Sequence, residues 1–301
     1  MASDSQTASD ASPPDADPQR PGRYRGIACM VAAVAVQSGS EAVAKLMTET
    51  LPAAQVTWMR YVVFAAIMVG VALAVGPARA LRSKQTGLQI LRGAAAVGAA
   101  MCFIAALSVL PMAEVTAISF VSPLLVTVLA IPILGETIGL RQWTAIAIGL
   151  LGVAMVLRPG TPDFGISMLF PLAAATSWAF ALVVTRSMSV SDSALVSMTY
   201  AGLVGLALTS VLVPFVWVAP DMRSLSLGLA TGLLGTAAQY LTVQAFYHER
   251  ASVLAPIFYT SLIWSIGLGY LLFGNVPDTW TYAGAATIIL SGLYTIGRRR
   301  P

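Results

Sequence analysis

Gln37, Glu41 and Lys45 recur every four residues in a stretch otherwise built of Ala, Val, Ser, Gly and Leu. On a helix this spacing puts all three on one face. A carboxylate in such a setting can hold a ligand or carry a proton. It can also close an ion pair with Lys45, whose long stem reaches toward the membrane surface. A proton-carrying Glu41 would have to part from Lys45 during its cycle, because an opposite charge favours the ionised form. Arg60 stands inside a second apolar run, where its planar fork suits a carboxylate or ring carbonyls, or a pairing with Glu41. Glu114 opens a later apolar run, where water reaches it.

Neutral polar and aromatic residues add to the set. Gln239 and Gln244 lie in one apolar run, and one of them is expected to hydrogen-bond across helices. Thr116, Ser119, Pro123 and Thr127 form one stripe; Pro256, Tyr259 and Ile263 form another. Proline in an apolar helix frees a backbone carbonyl, which a cavity or a polar neighbour can satisfy. Trp178 and Trp264 fall mid-run, away from the membrane surface that Trp prefers, and read as cavity walls or packing. Trp143, Trp217 and Trp280 fall at run ends and read as belt residues. The candidate ligand-binding set is therefore Gln37, Glu41, Arg60, Phe120, Trp178, Gln239, Tyr259 and Trp264.

No catalytic constellation accompanies them. The one histidine, His248, sits in a short polar stretch with Glu249 and Arg250, and Cys29 and Cys102 lie in apolar runs as small hydrophobes. No cysteine–histidine spacing suits a metal, and no phosphate-binding glycine loop with lysine occurs. No metal site, cofactor or enzymatic activity is expected.

The elements that must position these residues follow from composition. Of 301 residues, 57% are hydrophobic and 10% charged, against about 25% charged in soluble domains; mean hydropathy is +0.79. This excludes a soluble enzyme, a disordered chain and a nucleic-acid binder, and implies a lipid bilayer around an all-α membrane protein. Spans of about 20 apolar residues are expected at 26–46, 53–75, 88–108, 112–134, 141–157, 165–186, 194–217, 226–246, 252–273 and 280–297. Residues 1–25 read as a disordered tail without a signal peptide, and 298–301 as a basic end.

Ten spans place both termini on one side. With that side cytoplasmic, Arg20, Arg23, Arg25, Arg79, Arg82, Lys84, Arg92, Arg141, Arg186, Arg250, Arg298, Arg299 and Arg300 lie inside; Lys45, Arg158 and Arg223 lie outside. Such a bias obeys the positive-inside rule. The halves 26–158 and 164–297 also resemble each other at a shift of 139 residues. Ala113, Val115, Phe120, Ser122 and Gly135 fall on Ser252, Leu254, Tyr259, Ser261 and Gly274. Five spans per half force the second to be inserted upside down, so two inverted five-helix repeats around a central cavity are expected. The shift pairs Phe120 with Tyr259. Small residues at Gly93 to Ala100 and Gly228 to Gly235 allow close helix packing.

Further residues carry a resemblance. They are Trp58-Met59-Arg60-Tyr61, Ala105-Ala106-Leu107, Ser119-Phe120-Val121-Ser122-Pro123-Leu124 and Leu134-Gly135-Glu136. In the second half they are Ala255-Pro256-Ile257-Phe258-Tyr259 and Gly269-Tyr270-Leu271-Leu272-Phe273-Gly274. In order and spacing the chain resembles ten-helix EamA-type members of the drug/metabolite transporter superfamily. Where such proteins often repeat Gly-Glu, this chain has Gly274-Asn275, so no carboxylate stands at both symmetric positions. The resemblance implies an inner-membrane secondary transporter that moves a small organic metabolite by alternating access, as a monomer or homodimer and with possible proton coupling. The superfamily includes exporters of amino acids and importers of riboflavin and S-adenosylmethionine. A non-transporting scaffold or lipid-binding protein is the alternative, and an intramembrane enzyme a remoter one.

Overall fold

The computed structural model describes residues 23–76, 82–135, 137–159, 165–188, 194–249 and 251–296. Most of the expected tail, the basic C-terminal end, Glu136 and Arg250 lie outside the described residues. The described chain forms helices α1 (Arg23–Thr48), α2 (Ala53–Val75), α3 (Thr86–Val109), α4 (Met112–Ser119), α5 (Ser122–Leu134) and α6 (Leu140–Leu157). The second half continues with α7 (Phe170–Met188), α8 (Ala194–Leu212), α9 (Met222–His248), α10 (Ala251–Phe258), α11 (Ser261–Phe273) and α12 (Thr279–Ile296). Short 3₁₀ turns at Ile166–Leu169 and Val213–Phe215 flank α7 and α8.

Six of the helical stretches are long and apolar enough to cross a bilayer by themselves, among them Tyr24–Thr48, Met112–Leu134 and Leu195–Phe215. Among the described residues, ten helical passes are present when α4–α5 and α10–α11 are each taken as one. The sequence reads 112–134 and 252–273 as unbroken spans; the structure interrupts both. At Phe120 and Val121 the hydrogen bonds shorten to the i−3 pattern, Phe120 to Ala117 and Val121 to Ile118. Pro123, with no N–H to offer Ser119, follows the break. In the second half Tyr259 bonds to Pro256 and Thr260 to Ile257 in the same way. There the proline precedes the break. Both broken passes end on a left-handed glycine, Gly135 at φ 68° and Gly274 at φ 67°. A left-handed cap closes the last carbonyls at little cost only where there is no Cβ. Gly274, followed by Asn275 rather than Glu, thus serves the same cap as Gly135.

The shift of 139 residues carries α6 (140–157) onto α12 (279–296). It also relates the neighbours. α1 packs on α9 as α7 packs on α3, α2 packs on α9 as α8 packs on α3, and α1 meets α11 as α7 meets α5. α6 packs against α12 and α2 against α8. The α6–α12 contact is close because Gly152 and Gly284 face each other across it. A Cβ on Gly152 would lie 2.8 Å from the Gly284 carbonyl oxygen, and one on Gly284 2.6 Å from the Gly152 oxygen. The largest buried cluster joins Ile118, Val121 and Leu124 to Ile146, Val153 and Ile288, so it packs the first broken pass and the α6–α12 pair into one core.

Polar contacts sort into two ends. At one end the Gln55 side chain bonds both ways with the Val218 backbone, and Arg158 pairs with Asp278. At the other, Gln89 and Arg92 reach Ser197, and Gly26 packs on Glu249. His248, expected in a loop, is the last residue of α9, its ring within 2.8 Å of the Gln244 carbonyl. The residues before it remain helical because no Pro or Gly interrupts them.

Candidate binding site

α1 carries the acid. Its first half is Ala- and Val-rich, so the helix packs closely, and Ser40 exchanges hydrogen bonds with Thr231 of α9 at 2.9 and 3.0 Å. One residue further, Glu41 accepts a hydrogen bond from the Gln37 amide at 2.9 Å. Among the described residues Glu41 forms no ion pair, and the possible Glu41–Lys45 pairing is not realised. Lys45 instead donates to the carbonyls of Leu107 and Leu110 at 2.6 and 2.7 Å and sits over the Phe273 ring, 5.3 Å from its centre. The physical reason is geometric. The C-terminal carbonyls of α3 are unsatisfied and carry partial negative charge, and an ammonium one helix away satisfies two at once.

Arg60 of α2 lies near enough for its charge to act on Glu41, yet the two do not bridge. Its guanidinium lies against α9 at Gly235, where a Cβ would come 3.0 Å from Nε. The neighbouring Met59 and Val63 pack on Gly228 and Gly232 of the same helix. The glycine run of α9 is thus the floor on which α2 and its arginine rest.

The two breaks meet. Phe120 and Tyr259 pack edge to face with ring centres 5.0 Å apart and planes at 79°. Such a pair contributes about 0.5–1.5 kcal/mol beyond its burial. Close by, Thr116 of α4 hydrogen-bonds Ser265 of α11 at 2.7 Å. Among the described residues, no hydrogen bond draws the rest of the set into this cluster. Gln239 is exposed, and Gln244 bonds the Tyr240 hydroxyl on its own helix at 2.8 Å. Among the described residues the expected cross-helix bond from this pair is not formed; for Gln244, Tyr240 lies one turn away on the same face. Trp178 and Trp264 are 44% and 41% exposed.

A cavity of about 380 Å³ opens between Leu91, Ala94 and Ala95 of α3, Leu129 of α5, and Thr176, Ser177 and Phe180 of α7. Sequence reasoning missed these residues. The signal was available, since the 139-residue shift places Thr176, Ser177 and Phe180 on Gln37, Ser38 and Glu41. The Arg92 contact to Ser197 and the Lys45 contact to α3 carbonyls had no such signal, because their partners are backbone oxygens.

A bundle of apolar passes in which two broken helices meet at Phe120 and Tyr259, with a partly buried acid near an unbridged arginine, is the architecture of a polytopic membrane protein. The chain belongs to the EamA-like transporter family, whose pattern matches twice, over residues 24–158 and 165–297, and with it to the drug/metabolite transporter superfamily. The chain is 26% identical to an S-adenosylmethionine uptake transporter of Rickettsia prowazekii (strain Madrid E), over 90% of this chain and 92% of that protein. A riboflavin transporter of Vibrio cholerae is 28% identical, over 80% and 82%. The pseudopaline exporter CntI of Pseudomonas aeruginosa is 26% identical, over 88% and 94%. A solved crystal structure aligns with a TM-score of 0.61 at 18% identity, covering 91% of this chain and 96% of the other, and shares the fold.

Proposed function

We propose that this protein is a secondary transporter of a bacterial inner membrane that moves a small organic metabolite, amino-acid-like or vitamin-like, by alternating access. The repeats 26–158 and 164–297 are inserted in opposite orientation, with both termini in the cytoplasm. The Lys45 end of the bundle then faces outward and the Arg92 end inward. Substrate binds where the repeats meet, among Gln37, Glu41, Arg60, Phe120 and Tyr259, with Trp178, Gln239 and Trp264 completing its path.

The observation that carries this reading is the crossing of two broken passes at Phe120 and Tyr259, one from each family match. Discontinuous helices at a repeat interface are the usual place for a carrier's substrate. Glu41 and Arg60, close but unbridged, suit a ligand that bears an amino group and a carboxylate. The relatives' names support a metabolite of this size.

Radiolabelled counterflow in proteoliposomes tests the reading, with S-adenosylmethionine, riboflavin and a set of amino acids as substrates. Saturable counterflow of one of them is expected, and Glu41→Gln is expected to cut it at least about tenfold, the loss typical when one partner of a buried charge contact is removed. Folded protein that exchanges none of the panel would overturn the proposed substrate class.

A further inference from the structure

The open cavity between α3, α5 and α7 has a counterpart that is shut. A step back of 139 residues turns its α7 wall, Thr176, Ser177 and Phe180, into Gln37, Ser38 and Glu41 of α1. The same relation takes Leu129 of α5 to Leu268 of α11, and α3 to α9. The counterpart space therefore lies between α1, α9 and α11. Along this seam α1 is joined to α9 by the Ser40–Thr231 hydrogen bonds and to α11 by Lys45, whose ammonium lies over the Phe273 ring. The same relation assigns Ser38 to this space, as the mate of Ser177; it is 1% exposed, and its hydroxyl has no hydrogen-bond partner among the described residues. Buried hydroxyls are normally satisfied, and opening this seam to water or a ligand would satisfy this one.

We propose that α1, α9 and α11 enclose a second pocket, opening to the opposite membrane face when the α3–α5–α7 cavity closes, and that its acidic wall takes ligands bearing an ammonium or similar cationic N–H donor. This rests on the inverted-repeat reading above. The two pockets differ in chemistry. Thr176 and Phe180 carry no charge, while their mates Gln37 and Glu41 supply an amide and a carboxylate. Among the described residues Glu41 accepts one hydrogen bond, from Gln37, which leaves acceptor positions for a ligand. Of the charged groups around it, Arg60 acts from α2 and Lys45 lies one turn along α1, its ammonium on the α3 carbonyls. A ligand thus meets a carboxylate from one side of the membrane and a neutral wall from the other.

Single-cysteine variants Ser38→Cys and Ser177→Cys test this in the full chain, with Cys29→Ala and Cys102→Ala removing the native thiols. Each is labelled in right-side-out and inverted vesicles with impermeant methanethiosulfonates, one cationic and one anionic. Ser177→Cys is expected to react from the cytoplasmic side at similar rates with both. Ser38→Cys is expected to react only from the other side, about tenfold faster with the cationic reagent, the scale of a local field on charged encounter. Glu41→Gln should abolish that preference, and Lys45→Met should speed the reaction by loosening the seam. Labelling of both positions from one side, or indifference to reagent charge, overturns the proposal. So does a folded Ser38→Cys, Lys45→Met protein that never reacts. Counterflow measured on the same vesicles keeps the two readings apart. Intact counterflow with failed labelling sinks the pocket alone, whereas correctly sided labelling without transport sinks the transport reading.

Discussion

Arg60 and Gly235 show how one residue's chemistry depends on another's lack of a side chain. The guanidinium occupies the space a Cβ on Gly235 would need, with Nε 3.0 Å and the nearer terminal nitrogen 3.1 Å from that point. These atoms end a flexible side chain, so Gly235→Ala displaces the guanidinium rather than the helices. The expected result is a rise in the KM for counterflow of several-fold with little change in the thermal midpoint, since uniform binding is lost while packing is kept. An unchanged KM would remove Arg60 from the binding set. Ser40 and Thr231 are the contrasting case. Their mutual bonds join α1 to α9, and a membrane side-chain hydrogen bond contributes only about 0.6 kcal/mol. What they supply is a seam that can open at modest cost.

At the scale of the element, the α6–α12 pair is the rigid one. Gly152→Ala puts a methyl 2.7 Å from Ile288 Cγ1 and 2.8 Å from the Gly284 oxygen. Backbone cannot yield as a side-chain tip does, so the helices must part. A cost of about 1–3 kcal/mol is expected, read as a lower midpoint in detergent, and an unshifted midpoint would mean the two helices are less tightly joined than their glycines imply. The same scale separates what the sequence discloses from what it conceals. Helix positions were legible because runs of about 20 apolar residues have one reading in a bilayer. The Phe120–Tyr259 contact was legible because one shift relates both halves. The breaks beside those residues were not, because Pro123 follows one and Pro256 precedes the other. Aligned by sequence the two prolines do not coincide, and only the hydrogen-bond pattern shows that both passes break at the same place. Lys45 was misleading for a different reason. Helical spacing points to Glu41, but α3's end carbonyls, distant in sequence, are the stronger claim on an ammonium.

At the scale of the whole molecule, the polar contacts divide the chain into two ends without reference to any membrane. Lys45, Gln55, Arg158, Val218 and Asp278 gather at one end through the contacts of α1, α2, α6 and the start of α12. Gln89, Arg92, Ser197, Gly26 and Glu249 gather at the other. The basic residues divide along the same line, with Arg25, Arg82, Lys84 and Arg186 on the Arg92 end and few on the Lys45 end. This division supports the proposed orientation, because short loops rich in Lys and Arg tend to stay cytoplasmic. Single cysteines at Lys84 and Thr137 should accordingly be labelled in inverted vesicles, and at Thr50 and Asp221 in right-side-out vesicles, by a reagent that cannot cross the bilayer. Labelling of Thr50 and Lys84 positions from one side would break the alternation of passes itself. Labelling of all four from the reverse sides would keep the bundle and its two ends, and would turn the acidic pocket of α1 toward the cytoplasm, so that a cationic ligand would be captured there rather than outside.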